Sequence, residues 1–260
     1  MRAEHRSLHS GESDLLRSAA GFIYVDDLAH PDPGSEDGHH LVNVLRLRPG
    51  ELVIAADGNG AYVPCEIAAI EQPARGRGRA AATGQPLLVS IGEIVRTDPP
   101  VDPLAVAFAM PKGERADWTV QKLTELGIDL IVPLMSERSV VRLDQIDAEK
   151  RGARFRRIAV EAGAQSRRVH LPSIPDPLTF AEFVAGIAPS LDVLAMAEPA
   201  GAPLGKDTRS ILVGPEGGWS PVELQAVPTR VGMGDTILRA ETAAIVAGTL
   251  LAERRWERQR

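Results

Sequence analysis

A single cysteine, Cys65, occurs in the 260 residues. No intramolecular disulfide can form, and no cysteine cluster can hold zinc. Cys65 alternates with Val63 and Ile67, which predicts a buried strand position. No apolar run approaches the ~18 residues a membrane-spanning helix needs. The opening "MRAEHRSLHSGESDLLRS" lacks the apolar core of a secretory signal and reads as a disordered or extended N-terminus over residues 1–18. These absences predict a cytoplasmic globular protein without a membrane partner, as does a composition of 44% hydrophobic and 25% charged residues.

An excess of positive charge is missing too: the formal net charge is −6. That argues mildly against a nucleic-acid partner, but the basic residues are clustered. Seven Arg or Lys stand against two Glu between Glu149 and His170, and the tail "ERRWERQR" adds four arginines. A basic face on an acidic protein is compatible with RNA binding, although a solvated helix face gives the same pattern. Both standard phosphate loops are absent, the Gly-Lys-Ser/Thr of one and the Gly-x-Gly-x-x-Gly of the other. An ordinary nucleotide-binding enzyme of the doubly wound kind therefore has no signature here. His39-His40 has no third ligand at useful spacing, and adjacent helical side chains point roughly 100° apart. No metal is expected, and these histidines read as helix packing.

What is present divides in two. Over residues 19–95 the sequence is β-rich. "GFIYVDDL" reads as a strand, and "HHLVNVLRLRPG" as a helix with Leu41, Val44 and Leu45 on one face. Asp57-Gly58-Asn59-Gly60 between two strand-like runs marks a hairpin. The Arg/Gly-rich stretch 72–86 reads as a mobile loop inserted in the sheet. After the linker "RTDPPVDP", residues 96–260 alternate strands and helices, which predicts a parallel sheet. "ERADWTVQKLTELG" is an amphipathic helix closed by Gly127, and the last helix begins near Ala240.

Two segments carry the chemistry. In "ILVGPEGGWSPVEL" an apolar strand runs into a glycine-rich loop. Ser220, Pro221 and Glu223 then form a capping box with proline at the first helical position. A strand end meeting a helix start is a standard ligand position at the carboxyl edge of a parallel sheet. A plain structural turn is the alternative, though an exposed Glu216 between glycines exceeds what a turn needs. In "GMGDTILRAETAAIVAG" small residues and an apolar pair suit an adenine or thioether pocket, beside Arg239-Ala240-Glu241-Thr242.

Six blocks occur in one order: "HHLVNVLRLRPGE", "KGERADWTVQKLTELG", "SERSVVR", "RRIAVEAGAQSRR", "VGPEGGWSPVEL" and "GDTILRAETA". With them the chain resembles the uridine-N3 methyltransferases of small-subunit ribosomal RNA, the RsmE type of the SPOUT superfamily. The resemblance implies an α/β fold: a SPOUT methyltransferase domain with a C-terminal trefoil knot, preceded by a small PUA-like β-barrel. It further implies a homodimer that uses S-adenosyl-L-methionine on ribosomal RNA within the assembled 30S subunit. The cofactor would lie against Met196, Ala197 and Glu198, against Gly214, Pro215, Gly217 and Gly218, and against Met233, Gly234, Ile237, Leu238, Arg239, Ala240 and Thr242.

Glu216 is the candidate for orienting the base or accepting its N3 proton, unless it serves the loop's own backbone amides. Arg239 is the candidate for stabilising negative charge on the uracil, unless it pairs with Glu241. Thr242 reads as a helix cap or a cofactor contact. Arg46, Arg48, Lys112, Arg138, Arg142, Arg156, Arg157, Arg167 and Arg168 are the candidate RNA contacts. Trp219 is a candidate for stacking on a base, and Trp118 for the core or an interface. The same surface could instead belong to a non-catalytic ribosome-assembly factor, which would not bind the cofactor.

Overall fold

The computed structural model describes residues 10–71 and 84–259. Most of the stretch 72–86 and the first nine residues of the N-terminal segment thus lie outside the described residues. The chain divides into two compact units. One comprises residues up to Pro99 together with Ala164–His170, the other Pro100–Gly163 and the residues from Leu171 onward. The boundary read from the sequence at 95/96 did not anticipate the short returning segment.

The first unit holds α1 (Ser10–Ser18), β1 (Gly21–Tyr24), α2 (Gly34–His39), β2 (Leu52–Ala56), β3 (Ala61–Glu71), β4 (Gln85–Ser90) and β5 (Val95–Arg96). The strands form one mixed sheet in the order β1-β2-β3-β4, with β5 also on β3. Helix α1 replaces the extended segment expected there, because Leu16 is buried in a cluster with Phe22 and Tyr62. β2 and β3 pair antiparallel across Asp57–Gly60. The Asp57 carboxylate accepts from the amides of Asn59 (2.7 Å) and Ala61 (3.0 Å), while Gly58 and Gly60 take positive φ. Cys65 is fully buried, and burial pushes its thiol pKa up.

The helix expected in "HHLVNVLRLRPG" is only partly regular. α2 runs into a π-helical turn over His40–Val44, and Arg46 at φ 58° ends it. Leu41 and Leu47 take the core positions, so Val44 and Leu45 stay exposed. His39 and His40 face solvent instead of packing. Among the described residues no group of three His, Cys, Asp or Glu could hold a metal ion.

The returning segment Ala164–His170 is bound by its backbone. Tyr24 Oη donates to the Arg168 carbonyl (2.6 Å), Gly60 N donates to the Val169 carbonyl (2.9 Å), and Val169 is buried. Arg167, at φ 59°, donates to the Leu16 carbonyl, and Arg168 Nε to that of His170 (3.0 Å). These two expected RNA contacts therefore already serve the protein's own backbone. A Cβ on Gly60, at φ 100°, would fall on the His170 imidazole and lie 2.7 Å from the Thr97 carbonyl oxygen. Gly50 has a similar φ of 93° with nothing within 4 Å of that Cβ. Gly60→Ala is expected to cost on the order of 3 kcal/mol, and Gly50→Ala about 1, the difference being the clash. Urea unfolding of the two variants measures both.

The second unit holds β6 (Ala105–Ala109), α3 (Arg115–Glu125), β7 (Leu130–Met135), α4 (Gln145–Ser166, of which the last residues belong to the first unit) and β8 (Leu178–Thr179). It continues with α5 (Phe180–Gly186), β9 (Leu194–Pro203), β10 (Ser210–Val213), α6 (Pro221–Ala226), β11 (Arg230–Gly232) and α7 (Ala240–Arg258). Its six strands run in the order β11-β9-β10-β6-β7-β8, every neighbouring pair parallel. Both faces are covered, as parallel sheets require. Val106 and Phe108 face a core with Val120, Leu123, Phe155 and Leu251, whereas Ala107 faces one with Phe180, Phe183 and Trp219. α3 ends in a Schellman motif: Gly127 N donates to the Thr124 carbonyl and Ile128 N to that of Leu123, with Gly127 at φ 83°. β10 lies between β9 and β6. The strand order therefore brings the loops after β9, β10 and β6 to one edge, and α3 starts there.

Candidate active site

The middle of β9, the carboxyl ends of β10 and β11 with their loops, and the first turn of α7 enclose a cavity of about 400 Å³. Ala197, Glu198 and Pro199 line it from β9, and Val213, Gly214, Pro215, Glu216 and Gly218 from β10 and its loop. Val231, Met233, Gly234, Thr236, Ile237 and Leu238 follow from β11 and its loop, and Arg239, Ala240 and Ala243 from α7. The walls are mostly apolar, with few charged groups (Glu198, Glu216, Arg239). That is the usual makeup of a small-molecule site, and the volume is in the usual range of about 300–1,000 Å³.

Local sequence explains the shape. Ser220 caps α6 with a complete capping box, and Pro221 stands at its first position. The Glu223 carboxylate is buried and accepts from Ser220 N (2.8 Å) and, across the sheet edge, from Glu137 N (2.8 Å). This ties the loop after β7 to the loop after β10. Arg138 Nη1 donates to the Gly217 carbonyl (3.2 Å) in the same place. Gly214 is required because a Cβ there would lie 2.8 Å from the Trp219 indole, which forms a wall of the cavity.

Several expected site residues sit elsewhere. Met196 is fully buried in the opposite core with Phe180 and Leu212, so it packs the sheet and does not line the cavity. Gly217 packs against Arg138 outside the lining, and Thr242 is solvent-exposed at the third position of α7, whose cap residue is Arg239. Thr242 therefore caps nothing. Trp219 is 4% exposed, donates to the Ala197 carbonyl (3.4 Å) and packs on Phe180, so it is not free to stack on an RNA base. Trp118 lies exposed on α3, not in the core.

Glu216 and Arg239 both line the cavity. The Glu216 carboxylate is exposed and pairs with Arg115 Nη1 (3.5 Å), with no loop amide as partner among the described residues. Arg239 does not pair with Glu241. It is exposed and has no carboxylate within ion-pair reach among the described residues, whereas Glu241 pairs with Arg115 at 3.4 Å. Arg115 went unread in the sequence, although it stands in the "KGERADW" block that gave Lys112. Pro199, Val213 and Val231 were missed as lining residues too.

The expected RNA contacts separate into two kinds. Lys112 and, in the first unit, Arg46 and Arg48 are exposed. Arg138 and Arg157 are exposed as well, but Arg138 also donates to the Gly217 carbonyl (3.2 Å) and Arg157 pairs with Glu161 (3.6 Å). Arg142 is spent on the Ser136 carbonyl (2.6 Å) and that of Glu137, and Arg156 on Asp176 (2.9 Å) and the Ile174 carbonyl (3.1 Å). Within the basic run of α4, Arg154 and Arg151 both pair with Asp117. Much of that run is consumed by packing.

A family model for an RNA methyltransferase domain matches residues 97–252, and one for an RNA methyltransferase PUA domain matches residues 33–73. The ribosomal RNA small subunit methyltransferase E of Mycobacterium bovis is 32% identical over 251 residues, 88% of this chain and 89% of that protein. Its counterpart in Bacillus subtilis is 28% identical over 234 residues, 82% and 85%. Among solved structures, a ribosomal RNA small subunit methyltransferase E from Neisseria gonorrhoeae bound to S-adenosyl methionine aligns with a TM-score of 0.72. Its identity is 27%, over 90% of this chain and 97% of that one. With a parallel α/β unit, a small PUA-like unit before it and a cavity built from its glycine-rich strand ends, the chain belongs to the ribosomal RNA small subunit methyltransferase E family.

Proposed function

We propose that this protein transfers a methyl group from S-adenosyl-L-methionine to N3 of one uridine in small-subunit ribosomal RNA. The observation that carries the reading is the cavity itself: apolar walls of adenosine-thioether size, with Glu216 and Arg239 together at the lining. Val213, Val231, Met233 and Leu238 suit an adenine and a thioether, and Glu198 offers a carboxylate to ribose hydroxyls. Gly218 at φ 69° and Gly234 at φ 132° permit backbone turns that side chains disfavour. When bound, the cofactor supplies an electrophilic methyl group on a sulfonium.

Uracil N3 is a nucleophile only once its proton leaves. Glu216 takes that proton, and Arg239, free of a carboxylate partner, faces the negative charge that spreads to the uracil oxygens. Proton removal of this kind contributes about 10²–10⁴-fold and positioning more. Arg46, Arg48, Lys112, Arg138 and Arg157 hold RNA phosphates in this reading, so binding weakens as salt rises. The trefoil knot, the homodimer, the assembled 30S subunit as substrate and a cytoplasmic setting belong to the same proposal. They are supported by the family, and no helix among the described residues is long and apolar enough to cross a membrane.

The test uses purified protein, small ribosomal subunits from cells lacking it, and methyl-labelled S-adenosyl-L-methionine, with nucleosides identified by mass spectrometry. Label in 3-methyluridine is the expected result. Label in another nucleoside overturns the atom assignment. No label and no cofactor binding would leave the non-catalytic assembly factor as the better account.

A further inference from the structure

We infer that Arg115 is a positioning residue that holds Glu216 at the cavity from a fixed anchor, Glu241. The inference rests on the role given to Glu216 above. One nitrogen, Arg115 Nη1, lies 3.5 Å from Glu216 Oε1 and 3.4 Å from Glu241 Oε1. The two carboxylates differ sharply in freedom. The Glu216 side chain is 48% exposed on a glycine-rich loop, whereas that of Glu241 is 8% exposed in the first turn of α7.

Glu241 has a further property. Its Oε2 is buried and has no hydrogen-bond partner. A buried carboxylate left uncompensated is strongly unfavourable, so Arg115 is held to it. Arg115 is itself pinned as the first residue of α3: its carbonyl accepts from Thr119 Oγ1 (2.8 Å), and its Nε donates to the Lys112 carbonyl (3.3 Å).

The guanidinium is thus a positive charge tethered to Glu241 beside the cavity, and Glu216 is the loop-borne partner drawn to it. Two consequences follow for the reaction. Glu216 is kept from turning into solvent, where its charge is equally well satisfied. It is also given a partner other than Arg239, so that Arg239 stays unpaired for the charge developing on the substrate. Without Arg115 the two catalytic groups at the lining would neutralise each other, and the Glu241 charge would repel Glu216. The shared geometry also leaves Arg115 a place to go. When Glu216 turns to the substrate, the guanidinium can close on Glu241, whose second oxygen awaits a donor.

A double-mutant cycle on kcat, at saturating RNA and cofactor, tests this. Arg115→Met is expected to lower kcat by about 10–30-fold with the cofactor Kd within about threefold of wild type, and Arg115→Lys to recover most of the loss. Arg115→Met added to Glu216→Gln is expected to lower kcat no more than about twofold beyond Glu216→Gln alone, because Arg115 acts through that carboxylate. Multiplicative losses would overturn the inference and leave the role of Glu216 standing. Wild-type kcat in Glu216→Gln would overturn both. Should Arg115→Met fail to fold, the cycle is run with Arg115→Gln, whose neutral amide can still donate to the buried Glu241 carboxylate.

Discussion

Glu216→Gln is expected to lower kcat for methyl transfer by about 10²–10⁴-fold, while the cofactor Kd changes by less than about threefold. The substitution keeps the volume and hydrogen-bonding reach of the side chain and removes its capacity to accept a proton. Its neighbours report which effect dominates. Glu216 lines the cavity and is paired only at 3.5 Å with Arg115, so losing its charge breaks no tight contact. Removal of an exposed ion pair costs the fold ~1 kcal/mol or less. A large fall in kcat with an unchanged unfolding midpoint therefore isolates chemistry from folding. If Glu216→Gln instead raises the cofactor Kd and leaves kcat alone, the carboxylate serves binding, and the proton leaves by solvent or by the RNA itself.

Local patterns in the sequence were enough for the elements that frame the site. The Asp57–Gly60 hairpin, the capping box at Ser220 and the Gly127 helix stop each follow from a few adjacent residues, and each appears in the structure. Glu216 and Arg239 were legible as cavity residues for a similar reason: one follows a strand end in a glycine-rich loop and the other stands at the start of the last helix. Contacts set by strand order were not legible. Alternation of strands and helices predicts a parallel sheet but not that β10 lies between β9 and β6. That order is what brings the start of α3, and with it Arg115, to the loop after β10.

Side-chain direction was equally hidden. Met196 and Ala197 are neighbours on a strand, so they face opposite ways: one fills the core and the other lines the cavity. Basic clustering misled in a third way. A run of arginines on α4 looks like an RNA-binding face, yet the carboxylates that neutralise it lie far off in sequence, at Asp117 and Asp176.

Glu223→Ala is expected to destabilise the protein by about 3–5 kcal/mol, the largest effect predicted for a residue outside the cavity. The side chain is 3% exposed, and its two oxygens accept from two different loops, Oε1 from Glu137 N and Oε2 from Ser220 N, both at 2.8 Å. Truncation strands two backbone donors at once, the buried Ser220 N and the half-buried Glu137 N, each worth about 1–3 kcal/mol when left unpaired out of reach of water. Glu223→Gln is not a conservative change here. The amide offers one acceptor oxygen, and its NH₂ must then face a second N–H donor, so about half the loss is expected to remain. Urea unfolding reads the stability, and cofactor titration reads the site. The loop after β7 carries Arg138, which holds the Gly217 carbonyl at 3.2 Å. Loosening that loop should therefore weaken cofactor binding by about tenfold in the folded fraction, since a site on loops depends on the groups that position it. A fall in stability with an unaltered Kd would mean that the loop after β10 keeps its shape through its own glycines and Trp219. The Gly214–Trp219 contact, not the carboxylate bridge, would then be what preorganises the cavity.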